Sequence, residues 1–508
     1  MKKIYLSILV GLILVFSSCS DVFQSMDVQN ENAPNIKDLS TPTEFYSILK
    51  NGYSTWYNGS IAASPTMAFA CADLFQSGTN SWGSGMMWFR PRQTLFNGIA
   101  PDPVIIINFG AWYNYYTSIG LIVNVSKMFN DPSFKITLNG NDYTTRARAH
   151  AYLIQALLYG NLALLYDKAY LFTENSTLPF DYAANTKSYK EVMDYAISKL
   201  DEAIDLIKND SIDSDPASVI AGVTFDKATL LQFANSIGAR FLACNARTQA
   251  ENAQVDWSKV KSYAEQGLQQ DFKVSYEPGW EGKVMTRDEG MNYFVLYNYN
   301  WLRASQWLIH KMAPDDPNSQ CPIPVVAGSD SFKDWPAITN CPDARLDKYF
   351  KYESMRNWFG ADRTTRAGYG TYILCQYRYW RYYDIVNEGQ GMIDHYLKME
   401  NDTYEAEALI RTNGNKAKIA ELINNTRVEI GGLTPASSDE SYDALEEKMF
   451  YERYIECDLV WPQLGFFDRR RNKDQMLSGT ARHFPIPAPE LVQHGQAIYT
   501  FGGSAGEM

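Results

Sequence analysis

The segment RARAHAYLIQALLYGNLALLYDKAY, residues 146–170, constrains the fold more than any other stretch of the chain. Ala149, Leu153, Ala156, Leu157, Gly160 and Leu164 recur at three- and four-residue steps, so one face of a helix carries only small and aliphatic side chains. A face of that kind suits a second helix at close range. We read a helix over Tyr143 to Tyr166, and with it an all-helical packing problem rather than a sheet.

The rest of the chain agrees with a mainly α fold. A capped start with proline in the first turn stands at Thr41-Pro42-Thr43-Glu44, and a long apolar helix is expected over Val104 to Phe129. Further helical patterns cover Tyr189 to Ile207, Phe225 to Cys244, Trp257 to Leu268, Asp394 to Arg411, Lys416 to Val428 and Ser441 to Val460, before a Pro-rich tail. The starts at Tyr189 and Trp257 lie about two tetratricopeptide periods of roughly 34 residues apart, which suggests a degenerate array of helix pairs. From Gln270 to about Gly389 the periodicity fails. Gly, Pro and Asn punctuate a stretch holding Trp280, Trp301, Trp307, Trp335, Trp358 and Trp380, and a long irregular segment of this kind is usually functional.

The N-terminus reads as an export signal. Met-Lys-Lys precedes an apolar run from Ile4 to Phe16, too short for a spanning helix of about 20 residues, and Ser17-Ser18-Cys19 follows. Small residues before a cysteine resemble a bacterial lipobox, with the signal removed and Cys19 carrying lipid that holds the chain to a membrane surface. The expected division is a signal peptide over 1–18, the lipidated cysteine and a polar tether over 19–40, and one folded unit over 41–508. Within that unit 41–270 forms an N-terminal helical part, 271–390 a loop-rich ligand region and 391–508 a C-terminal helical part.

Charge and motifs exclude several classes. With 46 Lys+Arg against 58 Asp+Glu the formal net charge is -12, which argues against a nucleic-acid partner. Hydrophobic residues at 45% can supply a large core. No phosphate-binding glycine loop, nucleophile elbow or Cys-x-x-Cys pair is present, and His150, His310, His395, His483 and His494 show no ligand spacing. No cofactor or metal is expected, although Asp315-Asp316-Pro317-Asn318 could hold a structural calcium ion. Setting Cys19 aside, six cysteines remain. Cys321 and Cys341 flank a loop-rich stretch and are expected to pair, while Cys244 and Cys457 sit in helical patterns as buried thiols.

The C-terminal residues carry a family likeness. Glu452-Arg453-Tyr454-Ile455-Glu456, Phe467-Asp468-Arg469-Arg470 and Phe484-Pro485-Ile486-Pro487 with Glu490-Leu491 resemble the ending of SusD/RagB-type outer-membrane nutrient-binding lipoproteins. Glu405-Ala406-Glu407-Ala408, Asn424 to Arg427, and Asp256-Trp257 through Ala264-Glu265 are similar to further blocks of that family. Cys457 to Gln463 departs from it, lacking a Glu-Gly pair. The resemblance implies a SusD-like α-helical scaffold with tetratricopeptide-like pairs, lipid-anchored at the cell surface in the outer membrane of a Bacteroidetes-type bacterium. It also implies a SusC-like TonB-dependent transporter as partner, a glycan ligand and no catalysis; an oligopeptide, as in RagB-like members, is the alternative ligand.

Aromatic residues form 14% of the chain, more than a core of this size needs. A sugar offers a C–H face to a flat ring and hydroxyls to polar groups at its edge. Trp82 and Trp88 sit among Gly and Ser, with Asp73, Asn80 and Arg90 nearby, and Trp280 and Trp358 have the same Gly-flanked setting. These seven residues are the expected glycan site, a ring folded back into the core being the alternative for each tryptophan. Trp257, Trp301, Trp307 and Trp461 are expected to pack in the core. Glu452 and Glu456, one helical turn apart, could serve a glycoside hydrolase as its carboxylate pair. Ion pairing with the nearby Arg453, Arg469, Arg470 and Arg471 is the preferred reading. A scaffold without small ligand, using the loop tryptophans as partner contacts, is a further alternative.

Overall fold

The computed structural model describes residues 42–61, 72, 74–76, 97, 103–276, 303–321, 336–352, 377–388, 391–457, 460, 463–473 and 475–508. Helices α1 (Pro42–Ile61), α2 (Pro103–Met128) and α3 (Thr144–Leu165) open the chain, and each packs on the other two. All but a few residues of α3 are buried, since α1 and α2 press on one side and α4 (Tyr189–Asn209) and α5 (Lys227–Cys244) on the other. Gly160 is where α3 comes closest to α5: a Cβ there would run into the ring of Phe241.

Helix starts follow local chemistry. Ser188 and Glu191 form a reciprocal capping box at α4, and Asp226 accepts from Thr229 N at 2.6 Å to begin α5 two residues later than periodicity alone suggests. Asp256 caps α6 (Trp257–Glu265) in the same way. Two small antiparallel pairs, β2 (Thr137–Leu138) with β3 (Asn141–Asp142) and β4 (Lys168–Tyr170) with β5 (Thr186–Ser188), flank α3.

The second half is more broken. Strand β6 (Phe272–Tyr276) follows α6, and β7 (Arg303–Ala304) pairs with β1 (Phe75–Gln76) from the N-terminal part. Then come α7 (Gln306–Met312), α8 (Arg345–Tyr349), the ladder of β8 (Phe350–Tyr352) with β9 (Tyr377–Tyr379), α9 (Tyr383–Glu388) and β10 (Gly391–Tyr396). Helices α10 (Lys398–Arg411), α11 (Lys416–Arg427), α12 (Tyr442–Glu452), α13 (Leu464–Arg471) and α14 (Ala488–Gln493) complete the chain. α10 packs on α5, α6, α11 and α12, so the C-terminal helices extend the first array rather than form a separate core.

Three expectations need correction. Residues from Asp394 do not begin a helix: Gly391–Tyr396 is the strand β10, paired with β6 through a tertiary contact that the helical pattern could not reveal, and α10 starts at Lys398. The helix expected to reach Val460 ends at Glu452 and widens into a π-helical turn over Arg453–Cys457. Cys341 is a free thiol, so the expected pairing with Cys321 does not form; its Sγ instead donates toward Met312 O and Asp343 O at 3.4 Å. Cys244 and Cys457 are buried thiols as expected. Among the described residues no helix is long and apolar enough to cross a membrane.

Candidate functional site

The residues singled out in the sequence as a glycan site, Asp73, Asn80, Trp82, Trp88, Arg90, Trp280 and Trp358, lie outside the described residues, as do Cys19, Trp301, Trp335 and Trp461. What the structure does place is the framework that borders them. The β1–β7 register sets Gln76 opposite Arg303, so the residue entering segment 77–96 lies beside the residue leaving segment 277–302. The β8–β9 register sets Tyr352 opposite Tyr377, the two ends of segment 353–376. β7 lies alongside β9, and Ile338 N donates to Tyr377 Oη at 2.9 Å, so the residues that follow segment 322–335 arrive at the same place.

This meeting point is aromatic. Residues 377–383 read Tyr-Arg-Tyr-Trp-Arg-Tyr-Tyr, an alternation that puts rings and guanidinium groups side by side. Trp380 stacks on Tyr383 with centroids 3.6 Å apart, and Lys351 and Arg378 each sit 4.1 Å from the Trp380 ring. Trp380 and Tyr383 are half-buried. Tyr352 and Tyr377 meet edge to face across the ladder at 5.6 Å. Such a cluster combines aromatic rings with hydrogen-bond donors, the two kinds of group that a polyhydroxylated ligand needs. The sequence reading named Trp380 only as part of an aromatic stretch and missed Lys351, Arg378 and Tyr383; the alternation in 377–383 was the available signal.

Beneath the aromatic surface lies a buried charge network. Arg381 Nη2 pairs with Glu456 Oε1 at 2.9 Å, and its guanidinium covers the Tyr349 ring at 4.4 Å. Glu456 also accepts from Tyr349 Oη at 2.9 Å and lies 3.4 Å from Arg345, which binds Glu452 and Asp343. Tyr382 Oη donates to Asp394 Oδ2 at 2.6 Å, tying the turn before α9 to β10. Burial pushes the Tyr349, Tyr379 and Tyr382 hydroxyls well above the ordinary phenol range, so they remain neutral. The network therefore fixes the strands from below.

The expected ion pairing of Glu452 and Glu456 is present, with other partners than those expected. Arg345 and Arg381 serve these carboxylates, whereas Arg453 and Arg471 pair with Glu407 and Asp468. Arg470 donates to the carbonyls of Leu164, Cys244 and Arg482, and Arg469 to those of Ala72 and Gln475. Neighbours in sequence on a helix diverge around its axis, so distant chain segments reach them first. Both glutamates are buried and their oxygens are engaged, which leaves no access for a substrate between them. Asp316 accepts from Asn318 N, Thr339 N and Asn340 N and so staples its loop. His150 is a core residue, held between Tyr53 Oη at 2.8 Å and Asp215. Trp257 is buried as expected, and Trp307 is half-buried.

A SusD homologue from Bacteroides thetaiotaomicron VPI-5482 superposes with a TM-score of 0.59 at 14% identity, over 91% of this chain and 98% of its own. The chain has the SusD-like fold. A SusD superfamily protein from Bacteroides vulgatus ATCC 8482 matches with a TM-score of 0.58 at 14% identity, covering 89% of this chain and 97% of that one. A laminarin-binding SusD-like protein matches with a TM-score of 0.54 at 14% identity, covering 90% and 98%. The sequence matches no protein-family model and no curated protein. The SusD-like likeness thus spans nearly the whole chain while residing in the backbone arrangement, as expected where helix packing is retained and side chains have diverged.

Proposed function

We propose that this protein is a cell-surface glycan-binding lipoprotein of the outer membrane, which captures oligosaccharides and hands them to a SusC-like TonB-dependent transporter without chemical change. The observation that carries the reading is the convergence, at β1, β7, β8 and β9, of the residues bordering the aromatic-rich segments. Solved SusD-like structures described as carbohydrate-binding and laminarin-binding support the ligand class. In this reading Trp82, Trp88, Trp280 and Trp358 stack on sugar rings, Asp73, Asn80 and Arg90 bind hydroxyls at their edges, and Cys19 carries the anchoring lipid.

Calorimetry on residues 20–508 against polysaccharides, oligosaccharides and peptide digests tests the proposal, alongside an assay for released reducing sugar. Binding of one glycan class without product release is expected. Binding that Trp82→Ala and Trp88→Ala both leave unchanged would sink the site assignment; preference for peptides would replace the ligand class, and release of sugar would overturn the non-catalytic role.

A further inference from the structure

Residues 380–383 make a tight turn in which Tyr383 N donates to Trp380 O at 3.0 Å, so Trp380 and Tyr383 stand at its two ends and Arg381 and Tyr382 at its corner. The rings at the ends are half-buried and stacked, beside the exposed Lys351. The side chains at the corner run inward instead, each to a carboxylate on another element. Arg381 Nη1 donates to Glu456 O at 2.9 Å and Nη2 meets Glu456 Oε1 at 2.9 Å, so one guanidinium grips both the backbone and the side chain of a single residue in the π-helical turn Arg453–Cys457. Tyr382 Oη reaches Asp394 Oδ2 of β10 at 2.6 Å, and Arg381 Nη2 lies 3.9 Å from the same oxygen.

Glu456 also acts from the other side of the turn. Trp380 N donates to Tyr349 O at 2.7 Å, and Tyr349 Oη donates to Glu456 Oε1 at 2.9 Å. The ladder that leads into the turn contributes less: β8 and β9 are three residues each, and their central register sets Lys351 opposite Arg378, two like charges on one face. Short two-stranded ladders are marginal alone, and like charges directly opposite weaken them further. We infer that Glu456, through Arg381, and Asp394, through Tyr382, are positioning residues that lock the turn, so that the Trp380–Tyr383 stack is assembled before any ligand arrives. Rings already in place lose no freedom on binding, which favours affinity without a new contact. A π-helical turn is frequent at functional sites, and this one supplies both acceptors of Arg381. That the stack serves a glycan rests on the reading above; the locking of the turn does not.

The test is fluorine NMR of protein labelled with 5-fluorotryptophan, the Trp380 resonance being assigned by its loss in Trp380→Phe, together with calorimetry against oligosaccharides. Glu456→Gln keeps the shape of the side chain and removes its charge. Tyr382→Phe deletes one hydroxyl and keeps the test decisive if the glutamine variant fails to fold. In each folded variant the Trp380 resonance is expected to shift or broaden well below the unfolding transition, where a merely structural role would leave it unmoved. Affinity is expected to fall about three- to tenfold, with no further loss when the same substitutions are made in a Trp380→Ala background. A Trp380 resonance unchanged in Glu456→Gln, or in Tyr382→Phe where Glu456→Gln does not fold, overturns the inference, and so does an affinity loss that persists undiminished in the Trp380→Ala background. If the wild type binds no oligosaccharide the glycan reading fails, while the resonance still decides whether the turn is locked.

Discussion

Arg345 and Glu452 face each other in the interior, with Nη1 2.6 Å from Oε2 and Nη2 3.1 Å from Oε1, and neither side chain reaches solvent. Asp343 holds the other side of the same guanidinium, Thr426 donates to Glu452 Oε2 at 2.7 Å, and Glu456 extends the network to Arg381. The two residues are 107 positions apart, so this contact ties α8 to the end of α12 and supports the strands that border the ligand segments.

Removing one member of such a pair leaves a buried charge without compensation. Glu452→Ala is expected to lower stability by about 3–5 kcal/mol in denaturant unfolding. The Arg345→Met, Glu452→Met double variant is expected to recover much of that loss, because the uncompensated charge is gone. A single variant as stable as the wild type would show that the network does not hold the fold.

Stability should depend on pH through buried histidines. Burial, and secondarily the charge of Arg240, push the His395 imidazole down to about 3; burial with Arg247 and Arg470 takes His483 to about 2. The unfolded chain takes up protons near pH 6.5 that the native protein refuses. The stabilisation is therefore complete above pH 6.5 and declines as pH falls toward 3, by up to about 1.4 kcal/mol per pH unit for each histidine. Glu407 adds to the decline below about pH 4.5, since, against the effect of burial, Arg471 and Arg453 hold its carboxyl far below the usual range. Asp167 and Glu490, raised by burial, act in the opposite direction. Comparing wild type with His395→Gln isolates one contribution: the variant should lose less stability between pH 7 and 4, and equal slopes would refute the assignment.

Gly160 tests the packing of α3 on α5. Alanine is the better helix former by about 1 kcal/mol, yet its methyl would strike Phe241, and overpacking costs about 1–3 kcal/mol. Gly160→Ala should melt at a lower temperature by calorimetry, and Phe241→Leu in that background should restore part of the loss. A raised melting temperature would mean that the helices can separate freely.

Trp380 tests the aromatic surface. Its stack on Tyr383 and its two neighbouring cations place it beside the ends of segment 353–376. Trp380→Ala should weaken oligosaccharide binding about five- to tenfold, close to the 1 kcal/mol scale of one aromatic contact. Unchanged affinity by calorimetry would confine the site to the loop tryptophans.

Much of the helical framework was legible because it is written within four residues. Ser188 and Glu191 cap α4 from inside a single turn, and the repeat of small residues from Ala149 to Leu164 marks the face that α3 buries. The start of α10 was misplaced because Ile393 and Tyr396 fit a helical face as well as a strand, and only pairing with Val274 and Phe272 decides between them. The cysteine pairing failed for a related reason: flanking a loop in sequence does not bring two sulfur atoms together in space.

For the functional surface, composition nominated tryptophans set among glycines, but could not say that Gln76 and Arg303, or Tyr352 and Tyr377, lie side by side. Nor could it foresee that Arg345 rather than Arg453 takes Glu452. The sequence by itself determined the helices, their caps and their apolar faces, because turns and caps are short-range interactions whose partners lie within a few positions. Tertiary structure alone decided which arginine meets which carboxylate and where the strands pair, because those outcomes depend on many weak contacts between distant segments satisfied together.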